Sequence, residues 1–168
     1  MNVLFSRMVR AAKLESNLYE EVEHDKSSLP QAMLVVVLSS VATAVGAMNI
    51  EGGINIFAVA IAALIGWAIW ASMIYFIGVK LLPTPETKSD IGELLRTIGF
   101  SSSPGIIRIL GIIPGLFGAV LFIAQIWMLI AMVIAVRQAL DYKSTPRAIL
   151  VCVIGWFIQG ALLMFLFR

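Results

Sequence analysis

The stretch Leu94–Gly115, LLRTIGFSSSPGIIRILGIIPG, decides how this chain is threaded. It carries Arg96, Arg108, three consecutive serines and two prolines inside an otherwise apolar run. Whether it crosses a membrane sets the side on which every later loop lies.

A membrane is required by composition. With 60% hydrophobic and 13% charged residues, and a mean hydropathy of +0.97, the chain has too little polar surface for a soluble domain. A hydrocarbon core roughly 30 Å thick needs about 20 apolar residues at about 1.5 Å each. Four stretches meet that length: about 30–49, 54–82, 115–136 and 146–167. None alternates polar with apolar residues, so the fold class is an all-α polytopic bundle rather than a barrel.

The second stretch is longer than a bilayer needs and ends at Pro83-Thr-Pro-Glu86. Trp67 and Trp70 sit too deep in it for an interfacial belt, which points to helix packing. Small residues recur every four positions, at Ser39, Thr43 and Ala47, at Ala42 and Gly46, and at Ala58, Ala62 and Gly66. Such ridges let helices approach closely. Helix starts are expected from a capping box at Ser28 and Gln31 with Pro30 in the first turn, at Thr87 before Asp90, and at Ser144-Thr145-Pro146.

Charge settles the threading. Lys and Arg are enriched in short cytoplasmic loops. Arg7, Arg10, Lys13 and Lys26 precede the first span, whereas the first loop carries no base and one acid, Glu51. The N-terminus is therefore cytosolic, and Lys80, Lys88 and Arg96 fall inside. With four spans, Arg137, Lys143 and Arg147 would lie outside, against the rule. Counting residues 94–113 as a crossing returns them inside and leaves the neutral Pro114-Gly115 turn outside. Five spans, with a broken third and an outer C-terminus, satisfy every loop. A helix should run from about Asp90 to Phe100, stop at the serines, and restart under Ser103 and Pro104 toward Ile113. Backbone groups freed between Gly99 and Ser103 would need partners within the protein or trapped water, because lipid supplies none.

The segment 1–29 stands apart as a cytosolic amphipathic region, before a membrane domain over 30–168. Leu4, Met8, Ala11, Leu14, Leu18 and Val22 form one apolar face. Its basic half would lie on anionic headgroups with its acidic half toward water or a partner, or the whole face would pack on the protein's own surface. The first 29 residues hold no continuous apolar run of the signal-peptide kind.

Several chemistries lack their residues. His24 is the single histidine and Cys152 the single cysteine, which leaves no Ser-His pair in the membrane, no two-histidine zinc site and no intrachain disulfide. No acid lies within a clear span, and no glycine run follows a strand as a phosphate loop would. The expectation is no enzyme, no cofactor and no metal. A net charge of +2 without a basic tract argues against nucleic acid. The candidate polar groups at membrane depth are Arg108, Gln125 and Gln159, with Glu51 as the expected ion-pair partner of Arg108 unless Arg108 snorkels to the outer surface.

The run Arg96-Thr-Ile-Gly99-Phe100-Ser101-Ser-Ser-Pro104, then Pro114-Gly115, Ile126-Trp127 and Val136-Arg-Gln-Ala-Leu140, resembles the Yip (Ypt/Rab-interacting protein) domain family in its short bacterial form. Leu18-Tyr-Glu-Glu-Val22 with Asp25 is similar to the region before that family's first helix. The resemblance implies a five-helix membrane domain with a cytosolic N-terminus. Rab binding by eukaryotic members goes with a long N-terminal region this sequence lacks, so it is not carried over. Two readings follow for a protein of the cell membrane. One is a scaffold or adaptor whose partners are the lipid bilayer, other membrane proteins or a second copy in a homo-oligomer. The other is a channel or transporter for an ion or small solute, built on the broken helix at Ser101–Pro104.

Overall fold

The computed structural model describes residues 3–48 and 55–166. Among them helix follows helix and no strand occurs. Two short helices, α1 (Val3–Ala12) and α2 (Ser16–His24), precede α3 (Leu29–Gly46). α4 (Ile56–Tyr75) continues as a π-helical turn over Phe76–Leu81. α5 (Ile91–Phe100) is followed by a 3₁₀ helix, Ser103–Ile112. α6 (Phe117–Ala139) and α7 (Thr145–Leu166) complete the chain.

Four of these helices are long and apolar enough to cross a membrane: α3, α4 with its π turn, α6 and α7. Phe57, Phe122 and Phe157 are 75%, 67% and 76% exposed on their outer faces, a surface that lipid rather than water would cover. Residues 91–112 form two shorter helices, with the break where glycine, serines and proline stand.

One end of the bundle is tied together. Tyr142 donates its hydroxyl to the carbonyls of Gly78 (3.1 Å) and Leu82 (2.7 Å), where the π turn leaves acceptors unused. Lys143 pairs with Glu86 at 2.6 Å, and the Lys88 amide donates to Asp141 at 3.3 Å. The C-terminal ends of α4 and α6 therefore meet at the same end, and the two helices run in the same direction. A core of Ile74, Ile77, Leu94, Val136, Leu140 and Val151 fills this end.

Residues 99–111 run alongside α3 and in its direction. A side chain at Gly99 would strike Ala32, one at Gly105 would strike Ser39, and one at Gly111 would strike Gly46. These contacts step by six on one partner and by seven on the other. From Gly105 to Gly111, six residues make two turns of the 3₁₀ helix, about 12 Å, and the seven α3 residues opposite make nearly two α-turns, about 10.5 Å. The two faces thus stay in register along the whole of α3. The seam uses Ala32, Ser39 and Gly46, rather than the four-residue ladders expected on α3.

Several starts differ from expectation. Asp90, not Thr87, caps α5: it accepts from the Glu93 amide at 2.8 Å while Glu93 accepts from the Asp90 amide at 3.0 Å. Thr87 instead bonds Thr84. Ser28 heads α3 without capping it, and donates to the Val22 carbonyl at 3.0 Å, while Gln31 accepts from Arg7. The N-terminal apolar face is split between two helices by Leu14, whose φ of 63° is left-handed. One continuous helix would have carried the acidic half away from the arginines that now meet it.

The glycine seam is testable. In Gly46→Ala the new methyl meets the Arg108 carbonyl oxygen, a backbone atom that cannot swing aside. Thermal unfolding in detergent should register a loss of about 1–3 kcal/mol. Gly160→Ala in α7, where nothing lies within 4 Å, should be neutral or gain up to about 1 kcal/mol.

Candidate functional site

Two constellations stand out, a clamp on the N-terminal helices and a polar cavity between the long ones. The clamp begins with the α5 capping box, which fixes a helix whose buried face carries Arg96, Gly99 and Phe100. Arg96, 5% exposed, donates from Nε to the carbonyls of Val22 (2.9 Å) and Glu23 (3.1 Å), and from a terminal nitrogen to Glu23 again. These are among the last carbonyls of α2, which have no partner within the helix. A guanidinium there also complements the helix dipole. Trp127 does the same for α1, donating from its indole to the Ala12 carbonyl at 2.8 Å. Phe100 completes a core with Leu18, Tyr19, Val22, Ala32 and Val35.

The charges of the two short helices answer each other. Arg7 bonds Glu21 and Asp25, each at 2.8 Å, and Arg10 bonds Glu15 at 3.1 Å and Glu21. Of the two arrangements expected for this segment, its basic half is turned to its own acids. The Arg10 guanidinium, with Arg7 beside it, holds the Glu21 carboxyl below the usual range, and Ser27 and Arg7 do so for Asp25. Glu23 behaves oppositely. Burial, helped by Glu93 and Asp141, pushes its carboxyl up to about 8.

At the helix break the polar groups are already used. Ser101 and Ser103 donate their hydroxyls back to the carbonyls of Ile98 and Phe100, each at 2.7 Å. The amides of Ser101, Ser102 and Gly105 donate to Thr97, Gly99 and Ser102. Pro104 is buried in the first turn of the 3₁₀ helix. Pro114 lies apart, exposed in the turn before α6, where Gly115 has a φ of 83°.

The cavity, about 370 Å³, lies between α3, α4, α6, α7 and the 3₁₀ helix. Ser39, Thr43, Ser102, Arg108 and Gln159 reach it, among walls that include Trp67, Trp70 and Trp156. Arg108 donates to Thr43 Oγ1 at 3.3 Å and to Gln125 Oε1 at 2.9 Å. The expected partner Glu51 lies outside the described residues, and none of the described acids pairs with Arg108. Arg108 Nε and Trp70 Nε1 are buried with no acceptor among the described residues. Each unmade bond costs on the order of 1–3 kcal/mol. Two donors on the cavity wall thus stand without an acceptor, while no carboxylate among the described residues faces them. Among the described residues no group of three His, Cys, Asp or Glu is placed to hold a metal.

Arg108 with Gln125, and Arg108 with Gln159 and Ser102 across the cavity, are brought together from separate parts of the sequence. Thr43, Trp70, Trp127 and Tyr142 were not anticipated in these roles. Their partners lie 60 or more residues away where they bond, at Thr43 to Arg108, Trp127 to Ala12 and Tyr142 to Leu82, so no local spacing announces them.

The clamp makes two predictions. Arg96→Ala removes charge-assisted bonds worth about 1.5–3 kcal/mol each, so amide hydrogen exchange over residues 16–25 should accelerate while α3, α4 and α6 stay protected. For Glu23 the folded carboxyl titrates above its unfolded value, so its protonated form favours the folded state. Docking of α2 should be firmest below about pH 4.5 and weaken as pH rises to about 8. Glu23→Gln should flatten that dependence and protect α2 at pH 8; an unchanged pH slope would remove Glu23 from the account.

The Yip1 domain model matches residues 16–167, so the match takes in α2, the clamp, the 3₁₀ segment and the long helices through α7. No curated protein and no solved structure matches the chain. An apolar helical bundle carrying that domain over nearly its full length is a membrane protein, and the chain belongs to the Yip1 domain family.

Proposed function

We propose that this chain is a five-span protein of the cell membrane, N-terminus in the cytosol and C-terminus outside, acting as a non-enzymatic adaptor. Direction supports the fifth crossing. Because α4 and α6 run the same way, the chain between them must return to the far end before α6 begins. Residues 91–112 are the return. Ten α-helical residues at about 1.5 Å and ten 3₁₀ residues at about 2.0 Å supply about 35 Å, against a core of roughly 30 Å. Arg137, Lys143 and Arg147 then share the cytosolic side with the N-terminal bases.

The observation that carries the adaptor reading is the assembly of three separate polar segments into one face at one end of the bundle, the end the charge rule puts in the cytosol. α2 is held by Arg96 and by Gln138, which donates to Glu20 at 2.8 Å. The loop 82–90 is held by Lys143, Asp141 and Arg147, the last donating to the Pro83 carbonyl at 3.0 Å. An ordered polar face on an otherwise lipid-facing bundle fits a partner better than it fits a reaction. Other membrane proteins or a second copy are the partners proposed.

The solute reading has one observation in its favour, the cavity reaching Ser102, Arg108 and Gln159. Against it, the break at Ser101–Pro104 spends its amides and hydroxyls on its own carbonyls, and leaves few donors for a passing ion. Photo-crosslinkers at Glu86, Lys143 and, as a lipid-facing control, Phe157 separate the two. The adaptor reading expects discrete protein adducts from the first two positions only, reduced several-fold by Arg96→Ala. No adducts, together with solute flux in liposomes, would replace it by transport.

A further inference from the structure

We propose that the Arg108 cavity is a binding site for a phospholipid with an anionic headgroup, its phosphate on Arg108 and its chain against the tryptophan wall. This goes beyond the adaptor reading and needs only that the long helices lie in a bilayer.

The argument starts from what the cavity lacks. Arg108 is a permanent cation among apolar helices, and its hydrogen-bonding partners, Thr43 and Gln125, are neutral. No described acid compensates its charge. Its Nε hydrogen has no acceptor among the described residues. A buried cation with an open donor, and no acid beside it among the described residues, calls for a ligand that is anionic and carries acceptor oxygens. A phosphodiester has both properties, and its geometry suits a guanidinium.

Depth and wall chemistry select a lipid. Arg108 is three residues before Gly111, which sits level with Gly46 at the end of α3. At about 2.0 Å per residue this puts Arg108 about 6 Å inside the end of the span, in the outer part of the apolar layer just beneath the headgroups. Below it the walls include Trp67, Met128, Met132 and Trp156, with the hydroxyls of Ser39 and Ser102 among them. Met132 and Trp156 also line an adjoining groove of about 500 Å³ between α6 and α7, whose other walls are almost wholly apolar. A charged head with an apolar continuation is the outline of an amphiphile. A free anion would leave that continuation uncovered.

Native mass spectrometry of the full chain in detergent tests this, with phosphatidylglycerol, phosphatidylcholine and inorganic phosphate added separately and in competition. The wild-type protein should retain phosphatidylglycerol at least tenfold over phosphatidylcholine, and Arg108→Gln should bring the two to parity. Gly66→Leu is the second variant. Gly66 lines the cavity and a side chain there meets nothing within 4 Å, so leucine fills the space without a clash and should also abolish retention. It carries the test should Arg108→Gln not fold. Equal retention of both lipids by the wild type, a preference untouched in both variants, or displacement of the lipid by inorganic phosphate at matching concentration would each overturn the proposal.

Discussion

Backbone-to-backbone proximity between α3 and the glycine-spaced segment at residues 99–111 is the constraint on which the bundle rests. Two helices of different winding stay in contact only if their small residues recur at matching distances. Glycine every six residues, at Gly99 in the last turn of α5 and at Gly105 and Gly111 on the 3₁₀ helix, against Ala32, Ser39 and Gly46 at every seventh position of α3, meets that condition. In a bilayer this matters more than in water, because lipid tails are as apolar as side chains and association depends on close packing. The irregular segment 99–111 is therefore seated among its neighbours, with its backbone groups bonded locally, as the proposed crossing would require.

The second organising element is the treatment of helix ends. α1 and α2 finish against the bundle, where their last carbonyls would otherwise be left without donors. Trp127, Ser28 and Arg96 supply them, and Tyr142 does so for the π turn that ends α4. Each donor belongs to a different element from its acceptor, so capping and tertiary assembly are one event. The polar face at that end is a consequence: α2 and the two loops are ordered because the carbonyls beneath them are bonded. Toward the opposite end lies the cavity that Arg108 lines.

Much of this was legible in the sequence, and the reasons differ by feature. The long apolar runs gave four helices directly, since length and apolarity need no partner to be recognised. The stop at Phe100 followed from glycine, serine and proline acting locally. The caps were harder. Ser28 with Gln31 and Thr87 with Asp90 both match a local pattern, yet tertiary demands took Ser28 to Val22 and Gln31 to Arg7, while Asp90 won its helix through Glu93. The six-residue glycine spacing was present but reads as noise under a 3.6-residue period, and becomes a signal only once the segment is known to be 3₁₀. Arg108 stood out as a charge at depth. Thr43 and Gln125 as its partners, 65 and 17 residues away, required the fold.

Sidedness of the two turns that flank α6 tests the central claim most directly. Single cysteines at Leu116 and Ser144, in a Cys152→Ala background, are labelled in intact membranes with an impermeant reagent. The account predicts labelling of Leu116 from outside and of Ser144 only from inside. Labelling of Ser144 from outside would make residues 91–112 a segment that returns to the side it entered, and the parallel crossing beside α3 would fall.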